Sequence, residues 1–184
     1  MANTFGVHAV FYYYELEHLM VNLCHYIHNA AVNKEAVFLS LDPDLLKRLH
    51  YFLKVNGIPT EGVTSHSLNE LLECLRRSGS KGVHEKICNL ASSVTSAGYQ
   101  GIRWICQPFF FLEETPREEI YHFEKDLGEA LIGTNCSFLC AYDFGVVVNS
   151  DARHIEFLQD SLLTHEMILN KFTLKKCDEV LKVK

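Results

Sequence analysis

Short, continuous apolar runs alternate along this chain with longer stretches in which apolar residues recur every three or four positions. Val7-His8-Ala9-Val10-Phe11-Tyr12-Tyr13-Tyr14 reads as a first strand that leaves aromatics at its exit. Residues 15–31 then set Leu16, Leu19, Met20, Leu23 and Ile27 on one helical face. A second strand is predicted over 36–41. Asp42-Pro43-Asp44 opens a helix that runs through residue 55, and Asn56-Gly57-Ile58-Pro59 stops it. From 60 to 82 the signal weakens: Leu68, Leu71, Leu72 and Leu75 outline an amphipathic helix, while Ser78-Gly79-Ser80-Lys81-Gly82 reads as a loop. Helical character resumes over 83–97.

The stretch from Gly98 to Asp143 carries the strongest pattern. Ile102-Arg103-Trp104-Ile105-Cys106 is a buried strand by its β-branched and aromatic content, and Pro108 ends it because proline cannot donate to a ladder. Thr115 before Pro116, with Glu118 and Glu119 in the first turn, starts a helix that Gly133 terminates after residue 132. Cys136 to Asp143 is a further strand. Strand, long helix, strand is a βαβ unit, and its crossover length favours parallel pairing. Residues 145–148 extend the strand end, 151–163 are helical, 167–174 form a last strand or edge segment, and 175–184 are a short tail. The expected architecture is a single domain over 1–184, a three-layer α/β sandwich with a mainly parallel central sheet.

Composition narrows the function. A net charge of -6 argues against holding a nucleic-acid backbone directly, since that needs a basic surface. No apolar run reaches the roughly 18 residues of a membrane span, and the N-terminus lacks the basic and apolar regions of a secretory signal. The cysteine count is odd, seven, and no CxxC is present. Reduced thiols and a cytoplasmic location are therefore expected.

The absences of chemical motifs are informative. The chain has no GxxxxGKS or GxxxxGKT phosphate loop, no GxGxxG and no GxSxG. His18, Cys24, His25 and His28 crowd one predicted helix, but no second element offers ligands at zinc-like spacing, and they read as surface or interface residues. Cys136 and Cys140 face one side of their strand with Cys106 near, and read as small buried thiols. The aromatic runs 11–14 and 109–111 lie near strand ends, where ligands of open α/β sheets sit, and serve either as core or as pocket lining. Polar contacts available there are His8, Gln107, Glu124, Tyr142 and Asp143, each of which could instead satisfy a buried backbone group.

Several short motifs resemble one family. Val7-His8 with Phe11-Tyr12, Asn33-Lys34-Glu35-Ala36-Val37-Phe38, Gly98-Tyr99-Gln100-Gly101-Ile102-Arg103, Phe123-Glu124, Cys140-Ala141-Tyr142-Asp143 and Thr164-His165 look like the methanogen, methylotroph and DcmR sensory (MEDS) domain, in order, from about residue 6 to 170. The resemblance implies a cytoplasmic signalling domain related to the RecA and KaiC type of fold but without a working phosphate loop, sensing small hydrocarbon derivatives. Two departures stand out. Gln107 replaces the family's usual glutamate after the third strand, and His165-Glu166 replaces a common His-Pro. Loss of that carboxylate removes the best candidate acid.

The expected function is a non-enzymatic sensory or regulatory domain that binds a small organic ligand and signals through a partner protein. His8, Tyr12, Tyr13, Gln107, Phe109, Tyr142 and Asp143 would surround the ligand. Arg103 inside its apolar strand needs a carboxylate, and Glu124 is the expected one. No catalytic residue, cofactor or metal is expected, no nucleic acid is bound directly, and a homodimer is compatible with the family. The alternatives are a protein-interaction module with a degenerate pocket, for which a segment between the second and third predicted strands shorter than the family's speaks, and a nucleotide-dependent enzyme, against which the missing phosphate loop speaks.

Overall fold

The computed structural model describes residues 5–111, 115–145 and 152–180. Their elements follow in the order β1 (His8–Tyr13), α1 (Leu16–Val32), β2 (Ala36–Ser40), α2 (Pro43–Val55), β3 (Val63–Ser65), α3 (Asn69–Ser96), β4 (Ile102–Cys106), α4 (Pro108–Phe111), α5 (Arg117–Leu131), β5 (Cys136–Asp143), α6 (Ala152–Thr164), β6 (Met167–Asn170), β7 (Thr173–Lys176) and α7 (Cys177–Val180). The strands form one sheet in the order β3-β2-β4-β5-β1-β6-β7. All neighbours are parallel except the β6-β7 hairpin. The mainly parallel α/β sandwich expected from the alternation is the architecture observed.

Burial on both faces explains the continuous apolar strands, because each face of a parallel sheet must be covered by crossover helices. Alternate residues feed two cores. Ala9, Phe11, Val37, Leu39, Ile105, Leu139 and Ala141 meet α1 and α2. Val10, Phe38, Trp104, Phe138, Cys140 and Tyr142 meet α3 and α5. Trp104 is the largest side chain in the second core. Its ring stacks on Phe138 at 4.9 Å, and its indole N–H donates to Ser40 Oγ at 2.8 Å, so its polar atom is satisfied.

Local sequence rules account for some boundaries, although α5 begins at Arg117 with Pro116 itself at the N-cap and no capping side chain, in place of the expected Thr115 cap. Asp42 caps α2 by accepting from the Asp44 and Leu45 amides at 2.9 and 3.0 Å, and Pro43 occupies the first turn. Gly133, with φ 75°, follows α5 as the expected stop. Elsewhere the pattern misled. Residues 63–65 are a strand, and the expected loop at 78–82 is only a kink at Gly79 (φ 62°, ψ -157°) inside α3. Pro108 does end its strand, but it also opens the short helix α4. The final segment is a hairpin, turned by Lys171 and Phe172 at φ 47° and 67°. The strand extension expected at 145–148 falls largely outside the described residues, as do residues 181–184 of the tail.

Arg103 does not pair with Glu124. It points to the α1 side of the sheet, where Nε donates to Glu35 Oε2, the guanidinium lies 4.6 Å over the Tyr26 ring, and Nη1 donates to the Tyr26 carbonyl at 3.3 Å. The cause is strand parity: Trp104 and Cys106 share the α5 face with Glu124, so Arg103, one residue away, faces the other layer.

Candidate functional site

Four side chains remote in sequence converge beneath α6. His8 begins β1, Cys140 lies in the middle of β5, Glu124 projects from α5 and His165 follows α6 directly. His8 and Glu124 are each 2% exposed, His165 5% and Cys140 0%, so all four donors are removed from water. Glu124 Oε2 stands 3.3 Å from His8 Nε2 and 3.2 Å from His165 Nε2. The Cys140 thiol lies 3.4 Å from His8 Nε2 and donates to Glu124 Oε1 at 3.5 Å. The two imidazoles are themselves in contact, with ring centroids 3.9 Å apart.

The folding logic is simple for each residue. β1 and β5 pair in register, with Val10 beside Cys140, which brings His8 and Cys140 to one face. Glu124 belongs to the buried side of α5, flanked by Ile120, Phe123 and Leu127. His165 is anchored by its own helix end: its Nδ1–H donates to the Ser161 carbonyl at 2.7 Å. A carbonyl can only accept, so the proton on a neutral ring sits on Nδ1 and the Nε2 lone pair faces Glu124.

Electrostatics are correspondingly tense. Burial, reinforced by neighbouring His165, pulls His8 down to about 4, although Glu124 and the Thr164 backbone favour its charged form. Burial works to raise the Glu124 carboxyl, but the proximity of His165 and His8 outweighs it and holds the group well below the usual carboxylate range. Burial, Cys106 and Glu124 all push the Cys140 thiol upward. Cys106 Sγ donates to Cys140 Sγ at 3.3 Å, extending the polar chain into β4.

Tyr12 closes the cluster from the side. Its hydroxyl and Ser161 Oγ are 2.7 Å apart, linking β1 to α6, while Tyr142 meets His165 edge-on at 6.0 Å. Arg117 adds an outer tie from α5 to α6 through Glu156 at 2.8 Å and Asp160 at 3.5 Å. Between Tyr121, Glu124, Tyr142, Asp160, Ser161 and Thr164 lies a crevice with about 140 Å³ of free space, too narrow for a water-sized sphere.

The residues expected around one ligand are divided between the two faces of the sheet. His8, Tyr12 and Tyr142 join this cluster, with Phe109 packed edge-on to Tyr142 at 5.3 Å. Tyr13, Gln107 and Asp143 do not. Gln107 Nε2 donates to Tyr13 Oη at 2.9 Å and its Oε1 accepts the Asp42 amide at 3.0 Å. Asp143 carries charge near Tyr13, which burial first and Asp143 next push up to about 12. This second group closes the carboxyl end of the sheet above α2.

The sequence reading assigned Glu124 to Arg103, Cys140 to passive packing and no role at all to His165 beyond a motif. The four donors are far apart in the chain, from 16 residues between Glu124 and Cys140 to more than a hundred between His8 and Cys140, so no ligand spacing was visible. By contrast His18, His25 and His28, which are close in sequence, are exposed on α1, where His18 packs on Phe11 and His25 on Phe172.

Hollows also lie elsewhere among the described residues. One of about 260 Å³ lies at the amino end of β2 near Glu35, Gly62 and Tyr99. Another, about 480 Å³ and mostly apolar, is an open groove between α1 and α2 lined by Leu16, Met20, Val21, Tyr51 and Phe52. No helix among the described residues is long and apolar enough to cross a membrane.

The sequence matches none of the curated proteins searched. Two solved structures from Pyrococcus horikoshii share the fold. The uncharacterized protein PH0321, solved in complex with an unknown peptide, has a TM-score of 0.58 at 8% identity, covering 94% of this chain and 82% of that one. The structure of PH0250 has a TM-score of 0.55 at 10% identity, covering 94% and 86%. At those identities the likeness concerns the α/β architecture alone. Residues 7–166, which contain His8, Glu124, Cys140 and His165, match the family described as MEthanogen/methylotroph, DcmR Sensory domain, and the chain belongs to the MEDS family.

Proposed function

We propose that this MEDS domain is a non-enzymatic regulatory module whose sensing centre is the buried His8–Glu124–Cys140–His165 cluster, and that a small organic ligand engages it by displacing α6. The observation that carries this reading is the concentration of four polar donors in a nearly dry interior. Such a cluster is costly to bury without full pairing, and is retained more readily where it recognises something than where it only packs.

The bonds holding α6 to the cluster support a switch. Among the described residues Tyr12–Ser161 and the Arg117 ion pairs tie α6 to β1 and α5, and an exposed ion pair contributes only about 0.2–1 kcal/mol. Output through a partner protein is supported by the apolar groove between α1 and α2, where Tyr51 is 72% exposed. The carboxyl end of the sheet, closed by Gln107 and Tyr13, is a structural latch in this reading and not the ligand site.

Native mass spectrometry of the freshly purified protein, followed by thermal shifts with small alcohols, acids and halogenated hydrocarbons, tests it. A ligand that binds only the folded state at a hundred times its Kd stabilises by about 2.7 kcal/mol. The expected result is stabilisation by one chemical class in the wild type, none in Glu124→Gln, and at least as much as the wild type in Tyr12→Phe/Ser161→Ala, which loosens the hold on α6. Equal stabilisation of wild type and Glu124→Gln, or no response to any class together with capture of a specific partner by the unliganded protein, overturns it in favour of an interaction module.

A further inference from the structure

The same four donors raise a question that packing alone does not answer. On a neutral His165 ring the one proton is on Nδ1 toward Ser161, so the Nε2 lone pair points at Glu124 Oε2, and neither of these two atoms makes a hydrogen bond of acceptable geometry. Two electron-rich atoms at 3.2 Å inside a dry core repel, and a positive centre removes the conflict, either a second proton on the ring or a cation shared by both atoms.

We propose that His8 Nε2, His165 Nε2, Glu124 and the Cys140 thiolate bind one divalent transition-metal ion of the zinc class, the cofactor of the sensing centre. This rests on the reading that the buried cluster is that centre.

Geometry is the first argument. Zinc bonds of about 2.0–2.3 Å at tetrahedral angles put neighbouring donor atoms about 3.3–3.6 Å apart. The separations found are 3.2 and 3.3 Å for the two histidines to Glu124, 3.4 Å for His8 to Cys140 and 3.5 Å for Cys140 to Glu124. All four donor atoms lie within 4.8 Å of one another. The widest edge therefore closes to a tetrahedral one with a movement of about 1 Å. Among the described residues no other group of three or more such donors comes together.

Charge is the second. A divalent ion with one carboxylate, one thiolate and two neutral imidazoles makes a site of zero net charge, which suits an interior where isolated charges are prohibitive. The thiol proton leaves for solvent as the metal–sulfur bond forms, because a coordinated thiol is deprotonated even where burial opposes it. Outer contacts fit as well. His165 donates its far nitrogen to a backbone carbonyl, the usual support of a metal-bound imidazole, and Cys106 Sγ–H donates to the Cys140 sulfur. Donor chemistry of two nitrogens, one sulfur and one oxygen selects zinc, iron or cobalt over magnesium or calcium, which prefer oxygen throughout.

Metal analysis and cobalt substitution test the proposal on the intact chain. Protein purified without chelator is assayed for bound metal, stripped, and titrated with Co2+ and with Zn2+ against a chromophoric competitor. The expected results are about one metal per chain and, with cobalt, ligand-field bands of tetrahedral intensity plus a sulfur-to-metal charge-transfer band. Cys140→Ser should abolish the charge-transfer band, and Glu124→Gln or His165→Gln should weaken Zn2+ binding beyond the ~10–100-fold typical of losing an outer-shell contact. A paired His25→Ala/His28→Ala variant on α1 should bind as wild type does. If Cys140→Ser does not fold, the wild-type cobalt spectrum alone decides. Substoichiometric metal with no cobalt–thiolate band, or Zn2+ affinity unchanged in Cys140→Ser, overturns the site. Failure here with ligand-induced stabilisation of metal-free protein removes the metal and leaves the sensory reading; stoichiometric metal with no ligand response does the reverse.

Discussion

Arg103 and Glu35 form a buried ion pair across the α1 face of the sheet, with side chains 5% and 7% exposed. The pair joins β4 to the residue just before β2, and the Tyr26 ring covers the guanidinium. Removing one partner leaves a charge in a dry interior. Glu35→Ala or Arg103→Ala should therefore lower stability by about 3–5 kcal/mol, whereas a double replacement by Leu and Met should be near neutral. Urea unfolding of the two singles and the double checks this; equal losses in singles and double would remove the pair's special role.

Gln107 stands where a carboxylate was expected from the family resemblance, and it bridges Tyr13 to the first residue of the α2 cap. Gln107→Ala should cost about 1–3 kcal/mol because the Asp42 amide and Tyr13 hydroxyl lose their partner. It should leave ligand or metal binding at the His8 cluster within experimental error. Chemical denaturation together with the cobalt titration measures both.

Thiol reactivity should divide sharply. Cys24, Cys106, Cys136 and Cys140 are buried, while Cys74, Cys88 and Cys177 are partly accessible. Burial also raises Cys24 to about 11 and pushes Cys106, Cys136 and Cys140 upward. Brief alkylation at neutral pH should label Cys74, Cys88 and Cys177 in the native protein, and the other four only after unfolding. Peptide mass spectrometry reads the sites, and early labelling of Cys106 or Cys140 would contradict their burial.

His66 stacks on Phe38 with ring centroids 3.7 Å apart. Burial lowers its pKa, against a smaller opposing effect from Glu70. Its folded value thus lies below the unfolded 6.5, so folding favours the neutral ring. The contribution is present above pH 6.5 and is lost as pH falls through the folded value. An NMR titration should place the His66 midpoint below 6.5, and His66→Phe should flatten that part of the stability profile.

The sheet was legible because parallel strands are apolar on both faces and their helices carry caps and glycine stops. Ile102–Cys106 and Cys136–Asp143 were both found with their parallel pairing. β3 was missed because three residues, Val63 to Ser65, carry no periodicity, and the Gly79 kink looked like a loop because glycine and serine mark both. At the site, the short motifs containing His8, Glu124, Cys140 and His165 were all noticed. Their meeting was not, since it depends on β1–β5 register and on which face α5 presents, both long-range properties. Arg103 was mispaired for the same reason: its parity on the strand fixed its layer, and Glu124 lay on the other.

The two borders of the sheet are unlike its middle. β3 offers three residues and β7 four, of which Lys175 and Lys176 bring positive charge. Short, lysine-bearing borders give an incoming extended chain little hydrogen-bonding template. A neighbouring molecule is thereby discouraged from joining by strand addition. Resistance to edge-to-edge aggregation thus rests on the same few residues.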